Sequence, residues 1–245
     1  VLEVAYLGPE GTHSEAAVYN QFGSQVSRKP AVTIDDVFFQ VTHDEVNVGV
    51  VPVENSSEGV INTTLNCLAD SENINIIGEI NLDIDHQLAS GNKFKIDEAF
   101  AIASHPQALG QCTKWIEKNL GNIKRLEMPS SAVAAKYAKD NKNILCIVNS
   151  MAVAKYKLKL LKTNIQDFSE NKTRFLIIGK HEVNKTGRDK TSFLIQTPNK
   201  PGSLLSVLKP FDKRKYSGKN ILDYDEERTK VFEKKYEEID FLVLN

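Results

Sequence analysis

A chain of 245 residues with 41% apolar and 26% charged residues can fill a large domain plus a small one, or two lobes around a cleft. Its net charge of −1 gives no electrostatic case for nucleic-acid or membrane-surface binding. The longest uncharged apolar runs, such as Ile144 to Val148, fall far below the ~20 residues of a membrane span.

Val1 leads straight into a strand-like run, with no basic segment before an apolar one, so no signal peptide is expected. Cys67, Cys112 and Cys146 are widely spaced without a Cys-x-x-Cys pair, which reads as reduced, buried thiols of a cytoplasmic protein. The scattered histidines lack ligand spacing, and no metal site is expected. Val4 to Leu7 reads as a short strand, Gly8-Pro9-Glu10-Gly11 as a turn, and a helix follows, opened by Thr12 or Ser14, with apolar positions at Ala17, Val18 and Phe22. Val46 to Val53 is a buried strand by its β-branched density, followed by a loop over 54–59 and a helix through Ile61, Leu65 and Leu68. Ile74 to Leu88 is a longer β-rich run, and Ala99 to Ala103 a short apolar strand. Ser104-His105-Pro106-Gln107 then reads as a capping box opening a helix, with Ser104 as the cap. Two more strand-to-helix steps are Ile123 to Leu126 into Ser130-Ser131, and Ile144 to Val148 into Asn149-Ser150; Thr173 to Ile178 is a late strand. Strands alternating with helices give an α/β fold.

Several strands thus end at a polar cluster that starts a helix. Helix N-termini carry unsatisfied N–H groups and a positive partial charge, so such clusters together make a site for a small anion in a cleft, although any one of them alone reads more readily as a plain helix cap.

Four segments carry a resemblance. They are Ala5-Tyr6-Leu7-Gly8-Pro9-Glu10-Gly11-Thr12 with Ser14; Gly49-Val50-Val51-Pro52-Val53-Glu54-Asn55-Ser56 with Gly59; Ser104-His105-Pro106-Gln107-Ala108-Leu109 with Gln111-Cys112; and Asn171-Lys172-Thr173-Arg174-Phe175. In this order and spacing they resemble the prephenate dehydratases over roughly Val4 to Lys180. The resemblance implies a catalytic region over 1–180, two-lobed and similar to type II periplasmic binding proteins. Lobe one would hold 1–78 and 171–180, lobe two 79–170, with the active site between them. The implied reaction converts prephenate to phenylpyruvate with loss of water and carbon dioxide in L-phenylalanine biosynthesis, and it calls for no cofactor.

By the same resemblance Thr173 is the catalytic residue, its hydroxyl donating to the departing hydroxyl; without the family pattern it would read as an ordinary β-branched strand residue. Asn55 and Ser56 from lobe one and Ser104 and Gln111 from lobe two are expected to supply substrate-binding donors. Thr12, behind Gly8 and Gly11, would let backbone N–H groups approach an anion. Phe175, sharing a face with Thr173 by strand alternation, would pack near the substrate ring. Arg174 would either brace the lobe or reach a carboxylate. Gln107 is assigned to the capping box, Ser130 and Ser131 are weaker candidates that read more readily as plain caps, and His105 is given no role.

Lys185 to Asp189 reads as a linker, and 190–245 resembles a small α+β ACT domain, divergent and incomplete. The strand Lys190 to Gln196 and the turn at Asn199-Lys200-Pro201-Gly202-Ser203-Leu204-Leu205 carry that likeness. Gly202, Ser203, Leu204 and Leu205 would meet an L-phenylalanine effector, commonly across a dimer interface. The expected Glu-Ser-Arg-Pro motif has only Glu226-Glu227-Arg228-Thr229 as a counterpart. No chorismate mutase helix bundle precedes the catalytic part, so a fused mutase is not expected within the chain. A homodimer or homotetramer is implied. The competing readings are an arogenate dehydratase and a non-catalytic two-lobed sensor of carboxylates or amino acids.

Overall fold

The computed structural model describes residues 1–168, 170–184, 190–196, 200–213, 218–224 and 238–244. The first lobe runs β1 (Glu3–Leu7), α1 (His13–Phe22), β2 (Ser27–Ala31), α2 (Ile34–Thr42), β3 (Val48–Asn55), β4 (Gly59–Val60), α3 (Asn62–Asp70) and β5 (Asn75–Asp83). The second runs β6 (Gln87–Ser90), β7 (Ala101–Ser104), α4 (Pro106–Gln111), α5 (Thr113–Leu120), β8 (Lys124–Glu127), α6 (Ser131–Asp140), β9 (Ile144–Val148), α7 (Ser150–Lys155) and β10 (Lys159–Lys162). The chain then returns to the first lobe as β11 (Lys172–Gly179). Beyond it lie β12 (Lys190–Gln196), α8 (Ser203–Lys213), β13 (Gly218–Tyr224) and β14 (Glu238–Leu244).

The first sheet has the order β2-β1-β3-β11-β5, with β4 folded back on β3. Its strand β3 is buried at every position but Glu54, which is why it reads as a continuous apolar run rather than an alternating one. One face packs Ala5, Val51, Val53, Leu176 and Ile178 against α2 and α3; the other packs Val4, Tyr6, Val50, Phe175 and Ile177 against α1. At Gly49 there is no room for a side chain: a Cβ there would stand 2.7 Å from Val37 Cγ1 of α2 and 2.9 Å from Ile178 Cγ1 of β11. The second sheet has the order β10-β6-β9-β7-β8, with β9 wholly buried at its centre. This is the two-lobed α/β arrangement expected.

The run from Ile74 to Leu88 is two strands, not one. β5 pairs with β11 in the first sheet, β6 with β9 in the second, and the chain crosses between lobes at 84–86. The expected lobe boundary after residue 78 is therefore corrected to the end of β5. The second crossing, 165–168 and 170–171, runs beside the first: Ile84 N–H donates to Asn171 O (2.8 Å) and Ile165 N–H to His86 O (2.9 Å). Within the lobes the strands β2, β4 and β10 and the helices α2 and α5 were not read from sequence; β2 (SRKPA) is an edge strand whose Pro30 and charges disguise it.

In the C-terminal part, β12-β14-β13 form a parallel three-stranded sheet. Phe193 and Ile195 pack with Leu204, Val207, Leu208 and Phe211 of α8. The linker at 185–189, Asn199 and the Glu226-Glu227-Arg228-Thr229 segment lie outside the described residues. Among the described residues no helix is long and apolar enough to cross a membrane.

Candidate active site

Because β3 and β11 are antiparallel, the end of one meets the start of the other, and Thr173 pairs with Asn55. Asn55 is buried, and its Oδ1 accepts the backbone N–H groups of Ser57 (2.9 Å) and Glu58 (3.2 Å) in the loop that follows. Backbone N–H groups only donate, so the orientation of the Asn55 amide is settled. Its Nδ2 therefore faces the other way and donates to Thr173 Oγ1 (2.7 Å) and Asn171 Oδ1 (3.0 Å). Thr173, 8% exposed, thus accepts from Asn55, and among the described residues nothing takes its hydroxyl hydrogen. Ser56 closes the same corner: its Oγ accepts Lys172 N–H (2.8 Å) and lies within donating distance of Glu170 O (3.2 Å) and Asn171 Oδ1 (3.3 Å).

The second lobe reaches this corner through Gln111, the last residue of α4. Gln111 Oε1 accepts from Asn171 Nδ2 (3.0 Å) and lies 2.6 Å from His86 Nε2. Gln111 is held from behind by the crossing segment, where Asp167 N–H donates to Gln111 O (2.8 Å) and the Asp167 carboxylate caps α5 by accepting Lys114 and Trp115 N–H (both 2.9 Å). His86, 4% exposed, stands edge-on to His13 of the first lobe at 5.9 Å between ring centres. Burial first, and then the neighbouring His86, hold the His13 imidazole down to about 4. Burial also lowers His86, against the opposing effect of its hydrogen bond to Gln111 Oε1. Both rings are neutral near pH 7.

Further contacts join the lobes at the start of α1. Lys155 Nζ lies 2.5 Å from the Glu10 carboxylate, and Tyr156 Oη donates to Glu10 O at 3.2 Å. Gly11 (φ +86°) accepts this approach; a Cβ there would stand 3.0 Å from Tyr156 Cε2. Asn149 caps α7 by accepting Ala152 N–H (2.7 Å), and its buried Nδ2 has no partner among the described residues.

Asn55, Ser56, Thr173 and Gln111 are brought together, whereas Thr12, Ser104 and Phe175 are placed differently from expectation. Thr12 caps α1 and its hydroxyl donates to Leu7 O at 3.3 Å, while the turn's N–H groups are taken internally: Gly8 N–H goes to Ala31 O and Gly11 N–H to Glu15 Oε2. The expected anion cradle is thereby corrected to a capped turn. Ser104 is 0% exposed and donates to Ile147 O (2.6 Å), and the cap of α4 is His105, whose ring accepts Gln107 N–H. Neither the Ser104 capping box nor its offer of a donor to the cleft survives. Phe175, 1% exposed, is in the first lobe's core, where it packs rather than lining a substrate surface. Arg174 braces: its Nε donates to Glu79 Oε2 (2.8 Å), its NH1 is 4.0 Å from Glu54, and Lys190 Nζ shares Glu79 at 2.9 Å. Gly202 (φ +84°) opens α8, Ser206 N–H donates to Gly202 O, Leu204 turns into the small core and Leu205 is 59% exposed. His86, His13 and Asn171 were missed as site residues, and only Asn171 had a signal, lying within the quoted Asn171-Lys172-Thr173-Arg174-Phe175 segment.

The family model for prephenate dehydratase matches residues 4–183, which takes in both lobes and both crossings. The chain belongs to the prephenate dehydratase family. It is 47% identical over 210 residues to the bifunctional chorismate mutase/prephenate dehydratase of Stutzerimonas stutzeri, covering 86% of this chain and 57% of that protein. It is 36% identical over 218 residues to the prephenate dehydratase of Methanocaldococcus jannaschii, covering 86% and 78%. The chain thus spans little more than half the length of the bifunctional relative. The structure of a prephenate dehydratase from Arthrobacter aurescens in complex with L-Phe aligns with a TM-score of 0.78 at 26% identity, over 87% of this chain and 73% of that one.

Proposed function

We propose that this chain converts prephenate to phenylpyruvate, water and carbon dioxide. The observation that carries the reading is the Thr173 hydroxyl, which accepts from Asn55 and keeps its hydrogen to donate at the junction of the lobes. In the reaction the ring C–CO2 bond breaks, its electron pair enters the ring, and the hydroxyl opposite departs with its bonding pair as hydroxide, which becomes water on taking a proton from solvent. Aromatisation drives the change, so the protein has to hold two carboxylates and stabilise the departing oxygen. Thr173 does the latter as a hydrogen-bond donor; Gln111 offers its amide hydrogens to a carboxylate from the other lobe. With His13 and His86 neutral, hydrogen-bond donors rather than imidazolium ions meet the substrate at this junction. The Lys155–Glu10 ion pair ties the two lobes together near this junction.

The C-terminal sheet is an ACT-like unit responding to L-phenylalanine through the turn Gly202, Ser203, Leu204 and Leu205. The L-Phe complex of the Arthrobacter protein supports an effector of this kind, and the positive φ of Gly202 with exposed Leu205 gives a backbone turn open to a ligand. A cytoplasmic homodimer or homotetramer completes the reading.

Prephenate turnover by the purified chain, beside Thr173→Ala, tests it. The variant is expected to stay folded and lose about 100- to 1,000-fold in kcat, the cost of one donor at a developing charge. An active parent with an unaffected variant removes Thr173 from the mechanism. A folded parent that turns over arogenate and not prephenate, or neither, overturns the substrate or the activity.

A further inference from the structure

Asn171 holds side chains from both lobes on one amide and has no part in the chemistry above. Its Oδ1 accepts from Asn55 Nδ2 (3.0 Å) and Ser56 Oγ (3.3 Å), and its Nδ2 donates to Gln111 Oε1 (3.0 Å). These directions are not interchangeable. The N–H groups of Ser57 and Glu58 fix Asn55 with its carbonyl toward them and its NH2 toward Asn171 and Thr173. Asn171 must answer with its carbonyl, which leaves its NH2 for Gln111. Gln111 must in turn answer with its carbonyl, and the neutral His86 ring, 2.6 Å from that oxygen, must carry its hydrogen on Nε2. Among the described residues nothing takes the amide hydrogens of Gln111.

We infer that Asn171 is a positioning residue that carries the polarity of two backbone N–H groups in the first lobe across to the second. It thereby aims the Gln111 NH2 group at an anionic group of the substrate while Thr173 offers its hydroxyl hydrogen. The identity of that anion rests on the dehydratase reading; the direction of the relay does not. Asn171→Asp reverses the relay, because a carboxylate only accepts. Gln111 then turns its NH2 toward the carboxylate and away from the substrate, and His86 must accept through Nε2 and hold its hydrogen on Nδ1. Gln111→Glu is the counter-case: a carboxylate at 111 accepts from both Asn171 and His86, and the ring keeps its hydrogen on Nε2.

The experiment is 15N NMR of the full chain labelled at histidine, at alkaline pH, with steady-state kinetics on prephenate for the parent and Asn171→Asp. The expected result is His86 protonated on Nε2 in the parent and in Gln111→Glu and on Nδ1 in Asn171→Asp, with KM raised about tenfold or more in the last, the loss of one binding hydrogen bond. A parent ring protonated on Nδ1, a Gln111→Glu ring switched to Nδ1, or an unswitched ring in folded Asn171→Asp overturns the inference. If Asn171→Asp does not fold, the parent and Gln111→Glu spectra still decide. A parent that keeps the Nε2 tautomer but turns over no prephenate sinks the dehydratase reading and leaves the relay standing.

Discussion

Lowering the pH from 7 to 4.5 should destabilise the fold through His13. The imidazole is held at about 4 by burial and by His86, against 6.5 for an unperturbed ring. Because the folded value is depressed, the unfolded chain binds the extra proton. Stability is full above the unfolded value, falls as pH drops below 6.5, and stops falling below about 4. Each unit in that window removes at most about 1.4 kcal/mol, so the interval down to 4.5 removes about 2 kcal/mol for this partly exposed ring. His86, lowered for the same reason, loses stability in the same direction. Glu79 is also depressed, with the cations Lys190 and Arg174 prevailing over burial, but its loss begins only near and below 4.5, outside most of the window. Urea denaturation of the parent and of His13→Gln at stepped pH is the assay. The parent's unfolding free energy should fall across the interval and the variant's should fall by about 2 kcal/mol less. Equal slopes in the two proteins would refute a His13 held neutral in the fold.

Arg174→Met should remove the brace between Glu54 and Glu79 and cost about 2 kcal/mol; breaking a fully buried pair costs more, but Glu79 is partly solvated. The Glu79 carboxyl should then climb toward its ordinary value, measurable by NMR titration. Gly49→Ala should cost about 1 to 3 kcal/mol in urea unfolding, since its Cβ would meet Val37 and Ile178 well inside contact distance. An unchanged midpoint would mean that α2 shifts freely on the sheet.

The corner proposed as the active site was legible where it lay on contiguous segments. The run from Gly49 to Ser56 and the segment from Asn171 to Phe175 were both singled out, and the antiparallel pairing of β3 with β11 places Asn55 on Thr173. Caps such as Thr12, Ser130 and Asn149 were also readable, because a cap is satisfied within three residues of itself. Ser104 was misread because its partner, Ile147 O, lies 43 residues away, and a buried carbonyl in the neighbouring strand outcompeted the helix N-terminus. Phe175 was misread because a strand pattern gives alternation without saying which face is core.

The sequence by itself determined the family, the alternation of strands and helices, and the segments that carry donors, since these rest on local pattern and on spacing. Only the tertiary structure decided where the chain crosses between lobes, that Arg174 braces rather than binds, and that His86 and Asn171 join the site. Those outcomes depend on which way each hydrogen bond runs and how deeply each group is buried, and both are set by residues far apart in the chain that meet only once the two sheets have formed.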